Sequence, residues 1–263
     1  MSSTVLAVPP EDCLGDFDEL LLTDHMAWLP EWHPCCLKGL KDIAPATVQW
    51  VQQELGYDAA TRRLGGIAAL FTLMVAFRHP LGLPFGVACV EADPVLQFAA
   101  LQGPKWGSGS SQRVECWVLV STEAFAEQCL AEQPLSQTSS AGHTEYRPQE
   151  DGYLRADPAD MMLNRFLERT QGLGTTAQVP QVLYRRCQRW GAAYARPRPA
   201  PASPGDAMDN LGECWRVPAT RIYSAGDYVC PVGVQRAVDA AARSGLAAAE
   251  HMARDLLWGG PTT

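Results

Sequence analysis

The stretch that most constrains this chain spans residues 221–258. Residues 221–225 read as a short strand, and Gly226-Asp227 closes it with a turn. A long helix is predicted over about 234–257, rich in alanine, the best helix former. Strand, Gly-Asp turn and small-residue helix together can hold a ligand. The glycine lets backbone come close, the aspartate accepts from a hydroxyl, and the helix start offers free N–H groups and a positive dipole end. Ala240, Ala241, Ser244, Gly245 and Ala248 leave one flank nearly bare, so a bulky group could lie against the backbone. The same residues also suit an alanine-rich core helix that follows an edge strand.

Composition limits the remaining possibilities. The chain has 263 residues, enough for one large domain or two small ones. Its hydrophobic content of 47% and charged content of 19% suit a globular core. A net charge of −8 argues against a nucleic-acid partner, which would ask for a basic face. The cluster Arg185, Arg186, Arg189, Arg196 and Arg198 is outweighed by acidic residues over the whole chain. The best apolar run, residues 67–77, is too short to span a membrane. The first residues lack the basic start and apolar core of a signal peptide. Nine cysteines without a C-x-x-C pair suit a reducing compartment. A soluble intracellular protein is expected, its compartment open.

Along the chain, residues 19–23 read as a buried strand and residues 42–56 as a helix with Pro45 in its first turn. Val48, Val51 and Leu55 share one face of that helix. Residues 64–77 are apolar on both faces and predict a buried strand. Strands follow at 85–90, 96–101 and 114–121, read together as a four-stranded meander. Ser121 or Thr122 caps a helix running to about residue 130. Asp157-Pro158 opens another helix, with Met161, Met162, Phe166 and Leu167 as its apolar face. Residues 179–190 read as a strand, and the proline-rich run 196–204 as a loop.

Several catalytic constellations fail on their spacing. His25, His33, Cys35 and Cys36 match no zinc module, because adjacent thiols cannot both reach one tetrahedral centre. No metal is expected. The loop 103–111 is neither a nucleophile elbow nor a phosphate cradle, since no helix opens directly behind it. Glu145 and Glu150 lie in a polar loop and read as solvated. No Ser/His/Asp set has supporting context, so the catalytic residues are left unassigned.

Three segments, in order, resemble the renalase-like branch of the FAD-dependent amine oxidases. Ala225-Gly226-Asp227, followed by residues 236–245 and Ala248-Ala249, is similar to that family's closing A-G-D and G-S-V-E-G-A-x-x-S-G-x-x-A-A. Residues 117–122 are similar to its W-x-L-x-S-T strand end, and residues 189–197 to its R-W-x-x-A-x-P segment, with Gln188 where the family has histidine. Arg236 and Ala240 replace two family glycines. The resemblance implies an α/β fold with an α+β substrate part: a FAD/NAD(P)-binding fold of amine-oxidase type with a mixed or antiparallel substrate-domain sheet. Residues 1–40 and 215–258 would belong to the FAD-binding domain and 41–214 to the substrate domain. Gly226 and Asp227 would face the ribityl or pyrophosphate part of FAD. The backbone of Ala237, Val238 and Asp239 would meet the pyrimidine edge of the ring. Trp190 and Tyr194 would form an aromatic wall, and Trp117 and Tyr194 would line the substrate pocket.

The family's opening strand and G-x-G-x-x-G are absent from the sequence. The nearest text, Leu64-Gly65-Gly66-Ile67, follows Thr61-Arg62-Arg63 instead of an apolar strand. The expectation is therefore a truncated fold that holds FAD weakly or not at all. Two functions follow. One is oxidation of a small amine or a reduced nicotinamide-like substrate by hydride transfer to flavin. The other is a non-catalytic family member. A complementing segment or a second copy is the expected partner of the sheet edge this leaves open.

Overall fold

The structure is a computed structural model. It describes residues 17–30, 36–60, 63–103, 114–134, 136–138, 144–146, 151–174, 180–196, 209–210, 213–217, 220–229 and 237–258. In chain order the main elements are β1 (Leu20–Leu22), α1 (Pro45–Glu54), β2 (Ile67–Phe77), β3 (Val87–Cys89), β4 (Leu96–Leu101) and β5 (Glu115–Ser121). Then come α2 (Glu123–Glu132), α3 (Asp151–Arg155), α4 (Asp157–Thr170), β6 (Val182–Ala195), β7 (Asp209–Asn210), β8 (Trp215–Arg216), β9 (Ile222–Ser224) and α5 (Ala237–Trp258). The fold is mixed α/β, and its two larger sheets are a mixed four-stranded one and an antiparallel five-stranded one, together with two small two-stranded ribbons among the described residues. The chain divides into two compact units: residues 1–57 with 197–263, and residues 58–196.

In the first unit the sheet order is β1-β9-β8-β7. β1 runs parallel to β9, pairing Leu20 with Ile222 and Leu22 with Ser224. β9 and β8 are antiparallel, as are β8 and β7. α1 buries Val48, Val51 and Leu55 on one face. The helix expected from residue 42 is broken in two, a short turn at Leu40–Ile43 and then α1. Ala44, between them, has φ −141°. A residue before proline is pushed out of the α region by the ring, so Pro45 restarts the helix and does not continue it.

The second unit is built on a five-stranded sheet of order β6-β2-β5-β4-β3, antiparallel throughout. Strands β3, β4 and β5 form a meander, but β2 pairs with β5 and β6 rather than with β3. The expected four-strand meander is thus corrected. The reason is physical: β2 is apolar on both faces, so it gains most from a central place flanked by long strands. The three-residue β3 takes the edge, where a short strand offers little to a stray pairing chain.

The odd-numbered residues of β2 (Phe71, Leu73, Val75, Phe77) face the core with Trp117 and Leu119 of β5. Helix α2 adds Phe125 and Leu130 to that core, and α4 adds Met162, Leu163 and Phe166. Thr122 caps α2, its hydroxyl accepting from the Phe125 amide at 3.2 Å. Met161, expected on the apolar face of α4, turns outward and is exposed. Asp93 pins α4 to the sheet. Its Oδ1 accepts from the Val95 and Leu96 amides at 2.9 and 3.0 Å, and its Oδ2 accepts from Arg165 Nε at 2.8 Å.

Candidate functional site

The turn after β9 belongs to the first unit and is tied down on every side. Gly226 has φ 149°, a conformation side-chain-bearing residues rarely adopt. Its N–H donates to Ser244 Oγ on α5 at 2.8 Å, and the Ser244 hydroxyl lies 3.1 Å from the Gly226 carbonyl. A Cβ added at Gly226 would fall 2.6 Å from Tyr228 Cε1 and 2.8 Å from its Cδ1. The space this glycine opens is therefore taken by the Tyr228 ring, and both of its backbone polar groups are engaged by one serine.

A buried hydrogen-bond chain continues from there. Trp28 Nε1 donates to Ser224 Oγ at 3.3 Å, Ser224 Oγ lies 2.6 Å from the Tyr228 hydroxyl, and that hydroxyl donates to the Leu22 carbonyl at 3.3 Å. Burial pushes the Tyr228 phenol up to about 12, so it stays a protonated donor. His25 stands edge-on to Tyr228 with centroids 5.7 Å apart, and its Nε2 is enclosed without a hydrogen-bond partner among the described residues. Burial holds His25 below its ordinary pKa, while Asp24 and Asp227 pull the other way. Asp227 is half-buried directly after the glycine.

Among the other expected cofactor residues, Ala237, Val238 and Asp239 form the first turn of α5. Val238 is 83% exposed and Asp239 is also exposed. The expected bare flank of this helix is only partly bare. Ala240, Ser244 and Ala248 are buried in the first unit, Ala248 beside Cys214 and Ala225. The bulky neighbour they admit is the chain's own sheet. Ala241 is exposed, and among the described residues nothing beyond its chain neighbours and the helix's own backbone lies within 4 Å of a Cβ built on Gly245. Arg236, which replaces a family glycine, lies outside the described residues.

Trp117, Trp190 and Tyr194 belong to the second unit. Trp117 is buried in the core, its ring centroid 5.3 Å from Phe166 and 6.0 Å from Phe85, its Nε1 donating to Glu115 Oε1 at 2.7 Å. Trp190 is 49% exposed on the sheet face away from the core, with Nε1 donating to Thr72 Oγ1 at 3.0 Å. Tyr194 donates instead to Glu123 Oε1 at 2.7 Å, at the start of α2. Arg196 Nε joins the same carboxylate at 2.9 Å. Burial and Glu123 push the Tyr194 phenol up to about 12. β6 has a register shift between Trp190 and Tyr194, and the two side chains go to different partners, Thr72 and Glu123. A cleft of about 300 Å³ on this unit is lined by Leu163, Val182, Leu183, Tyr184 and Arg185, none of them an expected site residue.

Sequence reasoning missed Tyr228, Ser244 and the role of His25 at the turn. Ser244 sits four residues after the buried Ala240 and four before the buried Ala248, a helical spacing that could have marked it as facing the strand end. Among the described residues, no group of three metal-ligating side chains comes together. No helix there is long and apolar enough to cross a membrane. Compared with known proteins, the chain matches no family model, and no curated protein matches it in sequence.

Proposed function

We propose that the chain is a renalase-like member of the FAD-dependent amine oxidase family whose own residues hold flavin weakly or not at all, so that it is not catalytic by itself. The family reading is supported by the order strand, Ala225-Gly226-Asp227, helix, by the parallel pairing of β1 with β9, and by the separate antiparallel sheet. The loss of flavin is carried by one observation. At Gly226, where the family would bring backbone to the cofactor, Tyr228 fills the space and Ser244 takes both polar groups. This turn does not fit a flavin laid against it. The sequence also contains no G-x-G-x-x-G to grip the nucleotide end.

A second reading keeps the catalytic role, oxidation of a small amine or reduced nicotinamide-like substrate with flavin as hydride acceptor. It is favoured by the exposed first turn of α5, Val238 and Asp239, at the positive end of the helix dipole. An absorbance spectrum of the purified chain, before and after titration with FAD, separates the two. A colourless protein that leaves the spectrum and fluorescence of added FAD unchanged supports the first. Stoichiometric flavin bands overturn it in favour of the second.

A further inference from the structure

We infer that α5 is a self-association surface on which a second copy of this chain packs its own α5 antiparallel, about a two-fold axis near Ala247 and Ala248. This inference stands apart from the flavin reading.

α5 has 22 residues, about 33 Å of helix. One face, with Ala240, Ser244 and Ala248, is buried in its own unit. Opposite it runs a second apolar stripe: Val238, Ala242, Leu246, Ala249, Ala253 and Leu256. Their spacing of three and four residues keeps them in line, and Leu257 borders them. All are exposed, Leu246 at 68% and Leu257 at 79%. A continuous apolar stripe left in water marks an interaction surface.

Two further observations identify the occupant as a second α5. The first is charge. Set antiparallel, Leu246 meets the partner's Ala249, Ala242 meets the partner's Ala253, and Val238 meets the partner's Leu257. In that register Arg243 on one flank of the stripe faces the partner's Glu250, and the two-fold repeats the pair. A parallel arrangement would instead set the flank of Arg243 and Glu250 against the partner's flank of Gly245 and Met252, where neither charge finds an opposite one. Arg243 also holds Glu213 of its own chain, so the partner's carboxylate would join an existing pair.

The second observation is Gly245, on the other flank. A glycine inside a helix costs about 1 kcal/mol relative to alanine. Among the described residues, nothing beyond its chain neighbours and the helix's own backbone lies within 4 Å of the missing Cβ, so packing among them does not call for it. In the antiparallel register Gly245 lies opposite the partner's Met252, and the absent side chain leaves room for that thioether and for close approach of the alanine-lined helices.

The test is light scattering and sedimentation of the purified full chain over a range of concentrations. The expected result is a concentration-dependent dimer. Leu246→Glu should leave only monomer. Glu250→Arg should weaken the dimer about tenfold by facing Arg243 with a like charge. The double variant Glu250→Arg with Arg243→Glu should recover it. These positions are exposed, and unchanged far-UV circular dichroism checks that each variant folds. A chain that stays monomeric at every concentration overturns the inference, as it would if a different protein covers the stripe. A dimer unaffected by Leu246→Glu, or one that the charge swap fails to restore, overturns it equally.

Discussion

Replacing Gly226 with alanine should be one of the most damaging single changes in the first unit. Three effects add. The backbone is held at φ 149°, and forcing a side-chain-bearing residue there costs about 1–3 kcal/mol. The new Cβ would sit 2.6 Å from Tyr228 Cε1, so the ring must move. That movement loosens the hydroxyl's bonds to Ser224 and Leu22, each contributing about 1 kcal/mol. It also disturbs the edge-on contact with Trp215 at 5.9 Å. The sum is about 3–5 kcal/mol, measured as the loss of unfolding free energy in urea. A double-mutant cycle isolates the steric part. In a Tyr228→Ala background the clash is gone while the backbone cost remains, so Gly226→Ala should cost at least about 1 kcal/mol less there. A Gly226→Ala variant within about 0.5 kcal/mol of the parent would refute the reasoning. It would mean that the space beside this glycine is open, as a cofactor-facing turn requires.

Asp93→Ala should cost about 3–4 kcal/mol, because it strands two backbone amides and Arg165. Asp93→Asn, which keeps an acceptor for the amides, should cost less than half of that in urea unfolding. Burial alone would raise the Asp93 pKa, but the Leu96 and Val95 amides and Arg165 outweigh it and hold the carboxyl below its usual range. Its contribution is present above the unfolded carboxyl pKa of about 3.9 and is lost as pH falls through the lower folded value, so Asp93→Asn should flatten the acid limb of stability against pH. His25 has the opposite chemistry. Its folded pKa is lowered by burial, so below pH of about 6.5 the unfolded chain binds a proton that the folded one refuses. Stability should fall as pH drops through that range, and the drop should be absent in His25→Phe. Leu119→Ala, in the core beside Phe71 and Trp117, should cost about 2–5 kcal/mol through the cavity it leaves, read from the same denaturation curves.

Much of the local structure was legible in the sequence. Val48, Val51 and Leu55 marked one helix face, and the double-sided apolar run of β2 marked a buried strand. What period-two alternation cannot say is which strand sits beside which, because it fixes the face of a side chain and not its neighbour. Hence the place of β2 between β5 and β6 was not readable, while the existence of all three strands was. The turn at Gly226 was legible as a turn, yet its use was not. A glycine that admits a ligand and one that admits a tyrosine two residues later have the same sequence signature. Ser244 was hidden for a similar reason. In an alanine-rich helix it counts as one more small residue until the strand end brings a backbone amide to its hydroxyl. The family resemblance set Trp190 and Tyr194 in one aromatic wall, but in the structure they bond different partners, Thr72 and Glu123. The register shift between them depends on pairing with β2 and has no local marker.

The hydrogen bond from Arg196 to Gly66, at 2.9 Å, has a consequence for how the chain is assembled. It joins the two ends of the second unit, next to the pairing of Ala195 with Ile67. The first unit must bring β1 together with β9 across about 200 residues of chain, a closure whose entropy grows with the logarithm of loop length. Once the second unit has folded, the path between them shortens to about 70 residues, a relief of about 1 kcal/mol. The intervening unit thus acts as a clasp that shortens the chain before the parallel pair can form. The order of events follows: residues 58–196 fold first, and β1 waits for β9. Expressed alone, residues 58–196 should give a cooperative unfolding transition. A segment that remains unfolded in isolation would reverse that order.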